Sequence, residues 1–287
     1  MIFGLVSLMF LDTSINMAMQ PFKMMVGDMV NEKQKGLAYS IQSFLCNAGS
    51  LVGYLFPFIF AWVGISNTAP QGVIPDSVIY SFYIGAILIF CVIYTTVKVK
   101  EMPPAEYAEY HGITEEQEHE KVNMLKLLVK APKAFWTVGL VQFFCWFAFM
   151  FMWTYTNGSI AANVFDAPTV ENTVNGITKI VLDTKSLQYQ EAANWVGVLF
   201  AVQAIGSVLW AICIPMFKDR RFIYALSLVL GGIGFISTYF VHSQYVLFVS
   251  FLLIGCAWAA MLALPFTILT NALSGGHMGT YLGLFNV

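Results

Sequence analysis

Asp12 is the only acidic residue in the middle of any long apolar stretch of this chain. A charge at the centre of a bilayer costs on the order of 3 kcal/mol on insertion scales, so a passive structural role explains it poorly. Loss of water favours the neutral form of a carboxyl group, and the chemistry this suits is reversible protonation. Asn16, Met19 and Lys23 follow Asp12 at i+4, i+7 and i+11. At ~100° per residue all four fall on one narrow stripe of a helix, with Lys23 ~16 Å along the axis from Asp12. That is too far for an ion pair within the helix, so each is expected to meet water, a solute or another helix. A lysine near a helix end also has the reach to place its ammonium at the interface.

A second set of chemistry-bearing side chains lies further along. Gln142, Trp146, Trp153 and Asn157 share one helical face, and Tyr155 points away from it. Sugars offer apolar ring faces rimmed by hydroxyls, so stacking aromatics beside amides suit them. Trp153 and Tyr155 fit an aromatic belt at the outer membrane surface as well, whereas Gln142 and Trp146 lie deeper. Gln42, Asn47 and Gln203 are further amides in apolar stretches, where bonding to a neighbouring helix is the usual role. Gly49/Gly53 and Gly255/Ala259/Ala263 have the four-residue spacing of close helix contacts. Asn157-Gly158-Ser159 matches a glycosylation sequon. The chain shows no nucleophile–base pair, no Gly-rich phosphate loop and no His or Cys set at ligand spacing. It is therefore not read as an enzyme, and neither a metal nor a cofactor is expected.

The elements that must hold these residues are membrane spans. Of 287 residues 58% are hydrophobic and 10% charged, and the mean hydropathy is +0.71. A soluble domain carries about 25% charged residues, so this chain lacks the polar surface to dissolve. Net charge −2 leaves no basic stripe for nucleic acid. The five cysteines stand singly in apolar runs, which argues against a disulfide scaffold. Seven stretches reach the ~20 apolar residues that a spanning helix needs. They are Ile2–Val26, Ala38–Trp62, Val78–Val99, Phe135–Tyr155, Trp195–Phe217, Phe222–Val241 and Tyr245–Thr270, and an eighth begins at Met278. The fold class is thus all-α and polytopic.

Basic residues orient the spans. Every Lys and Arg except Lys179 and Lys185 lies in or near the connections after the first, third and fifth spans. The two exceptions sit in the long segment Asn157–Asn194, which can cross a membrane regardless of charge. Those three connections are expected in the cytoplasm, with residue 1 outside and the protein multi-pass in the inner or plasma membrane. An outside start one residue before a span, and a last span of ten residues, read as an internal fragment of a larger transporter-like chain. Met102-Pro103-Pro104 stops the third span. It opens an acidic stretch, followed by a basic one whose Val122, Leu125, Leu128 and Val129 form an apolar face suited to the inner leaflet. The domain reading is 1–99 as one bundle, 100–133 as a cytoplasmic linker and 134–287 as a second bundle.

Leu11-Asp12-Thr13-Ser14-Ile15-Asn16, Pro21-Phe22-Lys23 and Gly27-Asp28 resemble the fourth-helix motif of plant sucrose–proton symporters. These belong to the glycoside–pentoside–hexuronide sugar:cation group of the major facilitator superfamily. Asn47-Ala48-Gly49-Ser50-Leu51-Val52-Gly53-Tyr54 is similar to the fifth helix of that group. Cys145-Trp146-Phe147-Ala148-Phe149 with Tyr155 is similar to the seventh. Trp258, Pro265 and Met278-Gly279-Thr280-Tyr281-Leu282-Gly283 resemble the tenth and the start of the eleventh. The resemblance implies helices four to ten of a partial major-facilitator fold, with the remaining helices supplied by the full-length chain. It implies proton-coupled sugar symport, with Asp12 as the proton-coupling aspartate. Lys23 stands where the group has an arginine, Thr156-Asn157 where it has an acid after the tyrosine, and Lys218-Asp219-Arg220-Arg221 matches the superfamily loop without its glycine. Substrate contacts are expected at Asn16, Lys23, Gln142, Trp146, Tyr155 and Gln203, and the partners are a sugar, the proton and the bilayer. Transport of another solute, by a facilitator or exporter, is the alternative reading; a polytopic membrane enzyme is the remote one.

Overall fold

The computed structural model describes residues 2–66, 74–100, 103, 106, 109, 124–174, 177–273 and 278–285. The acidic stretch Glu115–Glu120 and the side chain of Lys23 lie outside the described residues. Among the described residues nine helices and one hairpin follow in order: α1 (Ile2–Met29), α2 (Glu32–Trp62), α3 (Asp76–Lys98), α4 (Met124–Val129), α5 (Lys133–Asn163), β1 (Thr169–Val174), β2 (Ile177–Leu182), α6 (Leu187–Cys213), α7 (Arg220–Phe240), α8 (Leu247–Ala272) and α9 (Met278–Phe285). A 3-10 turn, Ile214–Met216, ends α6. Among the described residues five helices are long and apolar enough to cross a bilayer: α3, α5, α6 with its 3-10 turn, α7 and α8. The other two expected spans are continuous helix within α1 and α2. The molecule is an all-α polytopic membrane protein.

The segment Asn157–Asn194, expected as one long loop, carries helix and a strand pair among its described residues. Helix α5 continues two turns past Tyr155 to Asn163, which places the sequon residue Asn157 inside a helix with its Oδ1 buried. The antiparallel pair β1–β2 runs from Thr169↔Leu182 to Val174↔Ile177. Residues 175–176 alone connect the strands, and their sequence is Asn-Gly, the dipeptide that two-residue hairpin turns prefer. The hairpin is tied down at its base. Ala167 N–H donates to Ala161 O (2.9 Å), Asp183 N–H donates to Pro168 O (2.8 Å), and Leu182 packs on the cluster of Ile160, Ala161, Ala192 and Val196. Ser186 then caps α6, its Oγ accepting from Tyr189 N–H at 3.3 Å.

Helix α8 is the hub, packed against α7, α6, α2 and α5. Small residues make that possible. A Cβ on Gly255 would stand 2.3 Å from Gln203 O, and one on Gly206 2.6 Å from Leu252 O, so α6 and α8 touch backbone to backbone. With its flanks bare, α8 offers carbonyls to its neighbours. Ser207 Oγ of α6 donates to Gly255 O (2.8 Å), Ser43 Oγ of α2 to Ala259 O (3.2 Å), and Gln142 Nε2 of α5 to Met261 O (3.1 Å). Such bonds are the usual fasteners between helices where apolar burial gives no drive.

At the opposite end from the hairpin, the basic tetrad has local work. Asp219 caps α7, its Oδ1 accepting from Arg221 N–H at 2.9 Å and Phe222 N–H at 3.1 Å. Arg220 Nη1 donates to Ile214 O (3.2 Å), and its guanidinium lies over Gly36 of α2, where a Cβ would meet Nη2 at 2.8 Å. Asp219→Ala should therefore lower stability by about 1 kcal/mol, and Asp219→Asn by much less; thermal unfolding in detergent reads the difference. Short helix α4 turns Leu128 onto the cluster of Tyr39, Phe135 and Leu269, and Tyr281 Oη donates to Leu127 O (3.2 Å). Leu128, expected on a membrane-facing side, packs on protein here, while Val129 is exposed.

Candidate functional site

Four polar residues of α2, Ser43, Asn47, Ser50 and Tyr54, recur at i, i+4, i+7 and i+11 and so share one face. Ser43 and Asn47 are buried. Asn47 Nδ2 donates to Ser43 O (2.7 Å), which leaves its Oδ1 buried without a partner among the described residues. Gln203 of α6 (6% exposed), Trp153 of α5 and Trp258 of α8 close on this stripe. Together with Ser50 and Tyr54 they line a cleft of ≈ 40 Å³. At ~10–15 Å³ per water, that is room for about three waters. Solute sites run from about 300 Å³ upward, so the cleft is shut in this conformation.

Trp258 is the centre of an aromatic group. Trp146 meets it edge-on at 5.9 Å and 85°, Trp153 at 5.5 Å and 79°, and Phe149 lies 4.8 Å away. Offset and edge-on pairs are the favoured geometry of such rings. Through Trp146 the group reaches a second, larger cavity of ≈ 420 Å³ between α5, α8 and α9, lined by Gln142, Trp146, Met261, Phe266 and Phe285 among others. Every residue lining the cleft or the cavity is uncharged. The arrangement offers ring faces, amides and hydroxyls to a neutral solute, and nothing in it matches an ion.

The expected site residues are distributed unevenly. Gln142 and Trp146 line the large cavity, and Gln203 lines the cleft. Tyr155 is 61% exposed and borders a separate depression of ≈ 170 Å³ with Thr156, Ser159 and Thr238. Asp12 and Asn16 are exposed, as is every side chain from Phe3 to Ala18 of α1, and they line none of these three spaces. Asn16 Nδ2 bonds the backbone oxygen of Asp12 (2.9 Å). Sequence reasoning missed the α2 stripe as a unit, although the regular spacing of its polar residues was the signal. It also undervalued Trp258, a lone large ring in the run Gly255/Ala259/Ala263. Among the described residues no three His, Cys, Asp or Glu side chains come together.

Comparison with known proteins adds one positive finding: the family model described as Major Facilitator Superfamily matches residues 3–287. No curated protein and no solved structure matches the chain.

Proposed function

Since the chain belongs to the Major Facilitator Superfamily and is a secondary transporter, we propose that it carries a neutral sugar, a disaccharide or other glycoside, together with protons. One observation carries the substrate class: Trp153 and Trp258 line an uncharged cleft with the amides of Asn47 and Gln203, and Trp146 stands edge-on to Trp258. In this reading residues 1–99 and 134–287 belong to two bundles that rock about a central site, joined by 100–133. The shut cleft is then the constricted stage of the cycle, and parting of α2 from α6 and α8 opens it to solute. Asp12 takes the proton from outside the plasma membrane, Asn16 and Lys23 contact the sugar, and neutralisation permits the inward swing.

The deciding experiment is sugar-dependent proton uptake by the full-length protein in proteoliposomes, with sucrose, maltose and a glucose control. A disaccharide-specific proton signal supports the reading, and silence with every sugar in folded protein sinks it. The uncharged lining of both spaces favours one second reading, a facilitator or exporter of another solute, for which uptake persists after the proton gradient is collapsed. Trp258→Ala should weaken sugar affinity roughly tenfold or more, because it removes the ring that orients the other two, and Trp258→Phe should recover part of the loss. Half-saturation of uptake measures both variants.

A further inference from the structure

Pro265 lies inside α8 and has no N–H, so the Met261 carbonyl four residues earlier receives no bond from that position. Where lipid surrounds a helix, a freed carbonyl must be served by a neighbour. Here the neighbour is α5: Gln142 Nε2 donates to Met261 O at 3.1 Å. Met261 and Pro265 are both buried, and the other end of the same amide, Gln142 Oε1, is buried without a partner among the described residues. Gln142, Met261 and Phe266, the residue after the proline, all line the ≈ 420 Å³ cavity.

We propose that Gln142 is a positioning residue that holds α8 at the break Pro265 makes in its hydrogen-bond ladder, and so ties the shape of the cavity to the shape of α8. An intact helix has no need of an outside donor at this carbonyl. A broken one has two options, to keep Gln142 or to shift, and a shift moves Met261 and Phe266 in the cavity wall. The unpaired Oε1 adds a second handle. A solute hydroxyl that reaches it as the cavity opens engages the amide that is holding α8. This last step rests on the sugar reading above, whereas the hold on α8 does not.

The test is a double-mutant cycle on the full-length chain in detergent. Gln142→Met keeps the side chain's length and removes its donor, and Pro265→Ala returns an N–H to the ladder. Two readouts serve: thermal unfolding, and hydrogen exchange of the amides between Leu262 and Leu269. With Pro265 present, Gln142→Met should speed that local exchange by roughly tenfold or more. With Pro265→Ala also in place, Gln142→Met should change it little, because the helix serves its own carbonyl. Equal effects in both backgrounds overturn the proposal. If Gln142→Met alone does not fold, recovery of folded protein in the double variant supports the proposal, and continued failure overturns it. Intrinsic tryptophan fluorescence with sucrose and maltose runs in parallel on the unaltered chain. Absence of any response there removes the sugar reading, while the cycle still decides the role of Gln142.

Discussion

Exchange of Asp12 for asparagine is expected to abolish proton-coupled uptake. The two side chains have nearly the same shape, and both accept a hydrogen bond, but only the carboxyl group takes up and releases a proton. In this structure Asp12 is exposed, like its neighbours all round α1, in the apolar stretch Phe3–Met19, where a permanent charge at the bilayer centre would cost on the order of 3 kcal/mol. Its neighbour Asn16 bonds the backbone oxygen rather than the carboxylate, so that bond is kept when the side chain is exchanged. Sugar-driven alkalinisation should fall by at least ~100-fold, a change of about 2.7 kcal/mol or more in the coupled step. Exchange of labelled for unlabelled sugar, which needs no net proton movement, should survive. Unchanged alkalinisation in Asp12→Asn would remove Asp12 from the mechanism. Loss of exchange as well as of coupling would make it a structural residue.

A second large effect is expected from a single methyl group at position 255. A Cβ on Gly255 would stand 2.3 Å from Gln203 O, 2.8 Å from Ser207 N and 3.1 Å from Gly206 C. All three are backbone atoms, so no flexible side chain is available to yield, and α6 must move away from α8. The movement stretches the Ser207–Gly255 bond of 2.8 Å and carries Gln203 out of the cleft that it helps to line. Overpacking of this kind costs about 1–3 kcal/mol or more, a fall of roughly 2–12 °C in the thermal midpoint for a chain of this size. Gly197→Ala in the same α6 is the control. Nothing lies within 4 Å of its would-be Cβ, and helix propensity favours alanine by up to ~1 kcal/mol. Thermal unfolding of the two variants side by side decides the matter, and equal midpoints would mean that α6 and α8 do not meet as closely as described.

Hydropathy alone exposed the spans, because a helix crossing lipid must be apolar along its length whatever it packs on. α5, α6, α7 and α8 fall where the apolar runs lie, with α5 ending two turns late and α6 beginning two turns early. The same uniformity hid the packing. A helix that is apolar all round carries no apolar stripe to mark its inward face, so only the small-residue spacing Gly255/Ala259/Ala263 set the run of α8 apart from that of α3. The polar residues of α2 did carry a period, yet each of Asn47, Ser50 and Tyr54 is ordinary when taken singly, and their partners Gln203 and Trp258 lie some 150 to 210 positions away. The hairpin was legible in another way. Asn175-Gly176 between two β-branched runs is a local signal, overlooked because the surrounding segment reads as polar loop by composition. Asp12 was legible as an anomaly of cost, but cost names no neighbours.

The contrast between α8 and α3 bears on how freely each may drift. The most apolar window of α8 is 61% buried within the protein, and that of α3 is 0% buried. Among the described residues α3 packs on little besides α2, and leucine, valine, isoleucine and phenylalanine meet the demand of hydrocarbon alike. For α8 the demand is shape, at glycines and alanines where one added carbon has nowhere to go. A saturation library should therefore return a tolerant map across 79–97, where one apolar residue substitutes for another in silence. Across 250–267 it should return an almost forbidden one. Two helices of similar hydropathy, read by such a library, would belong to different evolutionary regimes: one a solvent-like spacer, the other closer to an enzyme core.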